Sequence, residues 1–208
     1  MPTPDFTLYH APMTRSIRVR WTLEEMGLPY RLETVKFTRG DVGGAEYRQI
    51  NPMQKIPAFR DGDRVLLESL AIVQYLVTKY GPTDLAVKPD EPGYGAWLEW
   101  LHFGEATMSM SVNLILAHTT LLPEEQRNPG LAKWARHEVD KHLNMIAERG
   151  LKGHDYLAAD RFTAADISVV YMLYLLKLVK QFNGAPEPVR AYFDRVAARE
   201  AWRKASAD

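Results

Sequence analysis

The sequence predicts a small α/β domain followed by a larger domain built only of helices. Three features lead to that reading. Runs with strand character occur only before residue 68. From residue 93 onward, apolar residues recur at helical spacing. Between the two parts, Gly81-Pro82 ends a helix and a stretch running to Pro92 is rich in turn-forming residues.

In the first part, residues 6–10 (FTLYH) read as a short strand. Residues 14–26 read as a helix. Ile17 with Trp21, and Val19 with Leu23 and Met26, repeat at three- and four-residue spacing, and Gly27 suits the C-terminal cap. Residues 30–35 (YRLETV) alternate as a strand does. Residues 36–49 are glycine-rich and read as irregular, with room for one helical turn. Residues 58–60 and 65–67 flank Asp61-Gly62-Asp63, a hairpin signal. Residues 69–80 then set Leu70, Val73, Leu76, Val77 and Tyr80 on one helical face. The order is βαβ-ββα, a parallel unit followed by an antiparallel hairpin and a helix.

Helices are expected in the second part at 93–119, 129–149, 163–182 and 186–204. The third contains ISVVYMLYLLKLV, apolar nearly all round, so it belongs in the middle of a helical core. The expected division is a domain at 1–81, a linker at 82–91 and a helical domain at 92–208.

Composition narrows the function. Of 208 residues, 46% are hydrophobic, enough for a packed core. Lys+Arg and Asp+Glu both number 26, and this balance argues against nucleic acid as the main partner. There is no cysteine, which excludes disulfides, cysteine-based zinc sites and a protein thiol nucleophile. Six histidines show no metal-ligand spacing, so no metal is expected. No P-loop is present, and GDVGG at 40–44 lacks the strand–helix setting of a dinucleotide fingerprint. No apolar run is long enough to span a bilayer, and the N-terminal stretch lacks the pattern of a signal peptide. A cytoplasmic protein with no membrane partner is expected.

One proline stands out. Pro57 opens a run that reads as a strand, yet proline has no N–H and is normally kept out of central strands. A cis bond after Ile56 would turn the chain and leave the main-chain groups of Ile56 facing outward, free to pair with an extended peptide. A trans proline starting an edge strand is the alternative.

The surroundings of Pro57 carry a resemblance. NPMQKIPAF with the following LLESLAIVQYL, LYHAPMTRSIRVRWTLEEMGLPY near the start, and DRFTAADI in the second part resemble the glutathione S-transferase family in order and spacing. The three motifs together span nearly the whole chain. The resemblance implies a thioredoxin-like α/β domain that binds glutathione and an all-α domain that supplies the pocket of a second substrate. It also implies a cytoplasmic homodimer that uses glutathione as co-substrate in detoxification chemistry, with a small apolar electrophile as the other reactant. A glutathione-dependent disulfide reductase and a non-enzymatic glutathione-binding module are the alternatives on the same fold.

Site residues follow from the same motifs. The resemblance implies that Ile56 and Pro57 present main-chain groups to the cysteinyl part of glutathione. It assigns Glu68 to the peptide's ammonium and Ser69 to its γ-glutamyl carboxylate. Ser69 also suits a helix N-cap. Lys55 and Gln54 are candidates for the glycyl carboxylate, with Arg39 a weaker one. Counting back from Arg18, the resemblance places the thiolate-stabilising hydroxyl at Thr14, where a serine is usual in the family. Ser16 and Arg15 follow as candidates, then Tyr9, the position of the phenol in tyrosine-type relatives. In FTAADI, Thr163 and Asp166 form a capping box with Phe162 and Ile167 as its hydrophobic staple, a structural role.

Overall fold

The computed structural model describes residues 5–38 and 41–207. Contacts divide the chain into two units, Met1–Ala86 with Arg199–Asp208, and Val87–Ala198.

The first unit begins with β1 (Phe6–His10), α1 (Ser16–Glu25) and β2 (Arg31–Thr34). A two-stranded ribbon, β3 (Phe37–Thr38) and β4 (Asp41–Val42), leads into α2 (Gly44–Ile50). The hairpin β5 (Ala58–Asp61) and β6 (Arg64–Leu67) and helix α3 (Ser69–Lys79) follow. The sheet runs β2-β1-β5-β6, with β1 parallel to β2 and antiparallel to β5. Alternation puts Phe6, Leu8 and His10 on one face of β1, and all three are buried. Phe6 packs edge-on against Tyr80 at 4.9 Å. Asp61 fastens the end of β5 to α3. Its Oδ2 accepts from Tyr75 at 2.6 Å, Lys79 at 2.8 Å and Tyr80 at 2.5 Å.

The glycine-rich stretch holds more structure than its composition suggests. Gly43 precedes α2 at φ 71°, and a Cβ there would lie 2.4 Å from Tyr47 Cβ and 2.7 Å from Val35. Glycine is therefore required both by backbone angle and by space.

The expected helix at 186–204 is two helices, α8 (Glu187–Ala197) and α9 (Glu200–Ala205). Arg199 breaks the run in an extended conformation and pairs with Glu25 at 2.7 and 2.8 Å. Trp202 of α9 meets Trp21 of α1 with ring centroids 4.7 Å apart. Residues 199–208 therefore join the first unit, where the sequence reading had placed them in the helical domain. In the stretch read as a linker, Leu85 and Val87 are buried.

The second unit opens with α4 (Tyr94–His102), which runs through a wide turn at Phe103–Thr107 into α5 (Met108–Leu116). Helix α6 (Pro129–Met145) is capped by Asn128, whose side chain accepts from Leu131 N–H. Helix α7 (Ala164–Leu178) is buried along nearly its whole length and packs against α4, α5 and α8. Gly104 permits the closest approach, since a Cβ there would lie 2.4 Å from Ser168 Oγ. The N-terminus of α7 carries the expected capping box. Thr163 Oγ1 accepts from Ala165 N–H, and Asp166 accepts from Thr163 N–H at 2.8 Å. Asp166 also accepts from Leu157 N–H and from the Tyr192 hydroxyl, so the box ties α7 to α8. Phe162 and Ile167, read as its staple, are both buried.

Candidate functional site

The strand register brings the site residues together. Tyr9, Ala58 and Leu67 form one row across β1, β5 and β6. The next positions beyond that row are the turn after His10, the Ile56-Pro57 pair and Glu68-Ser69. Three segments far apart in sequence thus meet at one end of the sheet.

The Ile56-Pro57 bond is cis. The ladder of β5 begins only at Ala58, and no backbone hydrogen bond of Ile56 to another described residue is found. The chain just before it is held firmly. Lys55 C=O accepts from Tyr47 Oη and from Asn51 Nδ2, both at 2.7 Å. Burial pushes the Tyr47 phenol up to about 12, so it stays neutral and donates. Lys55 itself is exposed.

Gln54 does not share that freedom. Its Oε1 accepts from Arg48 at 2.9 and 3.1 Å, and its Nε2 donates to Asp41 at 2.8 Å and Val42 C=O at 3.0 Å. Both ends of the amide fasten the loop, to α2 through Arg48 and to β4 through Asp41 and Val42. Arg39 lies outside the described residues.

Ser69 is the first residue of α3 rather than its N-cap. The cap position is Glu68, and no side chain caps the helix. The N-terminal N–H groups therefore keep their pull on an anion. Glu68 is exposed and holds φ 68°, ψ 112°, a conformation that costs a non-glycine residue of order 1–3 kcal/mol. Below Ser69 lies Arg18, fully buried in α1, whose Nη1 donates to Ser69 Oγ at 3.3 Å. Its charge adds to the positive end of α3.

At the turn before α1, Thr14 is half-buried and Ser16 wholly buried. Thr14 Oγ1 donates to Ala11 C=O at 2.7 Å and lies 2.7 Å from Ser16 Oγ. Ser16 Oγ in turn lies 2.7 Å from Nδ1 of buried His10. Thr14 is thus the hydroxyl of the pair with exposed surface. Arg15 takes the cap position of α1 and is partly exposed. Tyr9 lies on the other side of β1, in the apolar cluster of Val35, Tyr47, Ile56 and Ala58. Its ring is 5.8 Å from that of Tyr47, and both line an open groove of about 620 Å³.

Sequence reading missed His10 and Arg18 as parts of this site. His10 was detectable by parity, sharing the inward face of β1 with Phe6 and Leu8. Nothing local in the sequence shows that the guanidinium of Arg18 turns inward beneath Ser69.

The family models for the glutathione S-transferase N-terminal and C-terminal domains match residues 4–78 and 135–195. The chain belongs to the glutathione S-transferase family. The N-terminal match contains every candidate site residue, and the C-terminal match contains the capping box of α7. Within the family, the chain is 28% identical to glutathione S-transferase 3 of Schizosaccharomyces pombe, over 95% of this chain and 86% of that protein. Among solved structures, it is similar to the glutathione transferase URE2P6 from Phanerochaete chrysosporium in complex with oxidized glutathione. The TM-score is 0.86 and the identity 27%, covering 97% of this chain and 94% of that one. It is also similar to Ure2p5 of the same organism, cocrystallized with 1-(S-glutathionyl)-2,4-dinitrobenzene. Here the TM-score is 0.80 and the identity 26%, over 97% and 93% of the two chains.

Proposed function

We propose that the protein is a glutathione transferase that binds glutathione at the end of the sheet and directs its thiolate at a small apolar electrophile. The observation that carries this is the meeting, at one end of the β1-β5-β6 row, of three elements: an Ile56 backbone outside the strand ladder, a helix N-terminus with no side-chain cap and the hydroxyl of half-buried Thr14.

Glutathione is an extended peptide with a carboxylate at each end, an ammonium and a thiol. Ile56 N–H and C=O suit its cysteinyl backbone by strand-like pairing. The N-terminus of α3, with Ser69 and the charge of Arg18, suits the γ-glutamyl carboxylate. The exposed Glu68 suits the ammonium. Exposed Lys55, next to Ile56 in the chain, suits the glycyl carboxylate.

The chemistry needs the thiol ionised. A thiol of pKa about 8.5 is only about 3% thiolate at pH 7, and lowering it to about 6.5 makes roughly three quarters reactive. Two units correspond to about 2.7 kcal/mol. The Thr14 hydroxyl, the first turn of α1 and the charge of Arg15 are the groups assigned to this task. The thiolate then forms a bond to carbon of the electrophile, whose leaving group departs with its electron pair, or whose double bond accepts the pair. A cytoplasmic homodimer is part of the same reading, supported by family membership.

Calorimetry with glutathione tests the binding assignment. Glu68→Ala and Ser69→Ala should each weaken binding by about 1–3 kcal/mol, roughly 5- to 150-fold. Unchanged affinity in both folded variants would remove this pair from recognition. Turnover of a halodinitrobenzene by wild-type protein tests the transferase reading. Binding without turnover would favour the binding module, and turnover of a mixed disulfide instead would favour the reductase.

A further inference from the structure

Behind Thr14 runs a chain of hydrogen bonds whose protons can be counted. A carbonyl oxygen has no proton, so in the 2.7 Å contact with Ala11 C=O the donor is Thr14. Thr14 has one proton to give. In its 2.7 Å contact with Ser16 the donor is therefore Ser16. That spends the only proton of Ser16, and its 3.4 Å approach to Ala11 C=O carries none. In the 2.7 Å contact between Ser16 and His10, Nδ1 must then be the donor. One order gives each of the three 2.7 Å contacts its own proton: His10 to Ser16 to Thr14 to Ala11. His10 is 1% exposed and Ser16 0%, so this order is set inside the protein and not by solvent.

We propose that His10 and Ser16 are positioning residues that hold Thr14 as a hydrogen-bond donor toward the glutathione sulfur. This rests on the reading of Thr14 as the sulfur's partner. Donation from Ser16 fills one lone pair of Thr14 Oγ1 and polarises its O–H bond, and the His10 N–H does the same to Ser16. A hydroxyl polarised in this way favours a thiolate over a thiol. When the thiol ionises, its proton leaves to solvent. The Thr14 proton turns from Ala11 C=O to the sulfur anion. Nothing passes between His10, Ser16 and Thr14, so the chain tunes the donor without relaying a proton.

The test is the pKa of bound glutathione, read from thiolate ultraviolet absorbance with protein in excess. It is measured in wild type, Thr14→Val, Ser16→Ala and the double variant. Thr14→Val is expected to raise that pKa by about one unit. Ser16→Ala is expected to raise it by roughly half a unit, because it removes the polarisation but not the donor. The double variant should match Thr14→Val alone, since Ser16 acts only through Thr14. Ser16→Thr restores a hydroxyl and should recover the wild-type value. No shift in Thr14→Val would overturn the reading of Thr14 itself and the inference with it. A shift in Thr14→Val with none in Ser16→Ala, or shifts that add in the double variant, would overturn the inference while leaving Thr14 in place. Nitrogen NMR of histidine-labelled wild-type protein gives a second reading that needs no variant. His10 Nδ1 should carry a proton, and an unprotonated Nδ1 would overturn the proposed direction.

Discussion

Asp166 is completely buried, and burial pushes its carboxyl from 3.8 up to about 6. Four donors oppose that rise: Thr163 N–H at 2.8 Å and its hydroxyl at 3.2 Å, Leu157 N–H at 3.1 Å and Tyr192 at 2.7 Å. A raised carboxyl pKa means the folded state holds its proton more tightly than the unfolded chain. The stability it contributes is fully present below pH 3.8 and is lost as pH rises through about 6. The full swing is about 3 kcal/mol, of which about 2 kcal/mol falls between pH 4.5 and 8. Asp166→Asn has no such titration. Its amide oxygen can accept from one side of the box, but its NH₂ faces donors on the other. Tyr192 can rotate to accept, whereas Leu157 N–H cannot, and one buried donor left without a partner costs about 1–3 kcal/mol. The variant should therefore be less stable than wild type at pH 4.5, with the gap narrowing by about 2 kcal/mol toward pH 8. Urea unfolding of both proteins across this range measures the gap. Parallel stability curves would refute the reasoning, showing that the four donors outweigh burial and keep the carboxylate ionised in the folded state.

Three further outcomes are expected. Asp61 is pushed up by burial, but hydrogen bonds from Lys79, Tyr75 and Tyr80 outweigh this and leave its carboxyl below the usual value. Its contribution is therefore present above the ordinary carboxylate range and lost as pH falls through its lowered pKa. Asp61→Asn should cost about 1–3 kcal/mol at neutral pH by denaturant unfolding, and less in acid. Gly104→Ala should destabilise the helical unit by about 1–3 kcal/mol or more, because Ser168 Oγ and its backbone stand 2.4–2.7 Å from the added Cβ; an unchanged melting temperature would show that α7 yields easily. Glu68→Gly relieves the backbone at φ 68° and should leave stability equal or up to about 1 kcal/mol higher, while glutathione affinity falls. A variant that binds as wild type does would show that Glu68 is not used, and one that melts lower would show that it is not strained.

The sequence by itself determined the order of the elements of the main sheet and of the core helices, because that order rests on local periodicity. Alternation marked residues 6–10, three- and four-residue spacing marked α1, α3 and the core helix α7, and Asp61-Gly62-Asp63 marked the hairpin. The capping box at Thr163 and Asp166 was legible for the same reason, since its partners are three residues apart. What the tertiary structure alone decided depends on residues brought together from a distance. Gln54 looked free until Asp41 and Arg48 took both ends of its amide. Arg199 broke the last predicted helix because Glu25, 174 residues away in sequence, offered it a paired carboxylate. The placing of Arg18 beneath Ser69 and of His10 behind Ser16 likewise followed from which faces of β1, α1 and α3 were packed together. Local spacing fixes which face of an element is apolar; which polar groups then meet across two such faces is set only when the elements pack.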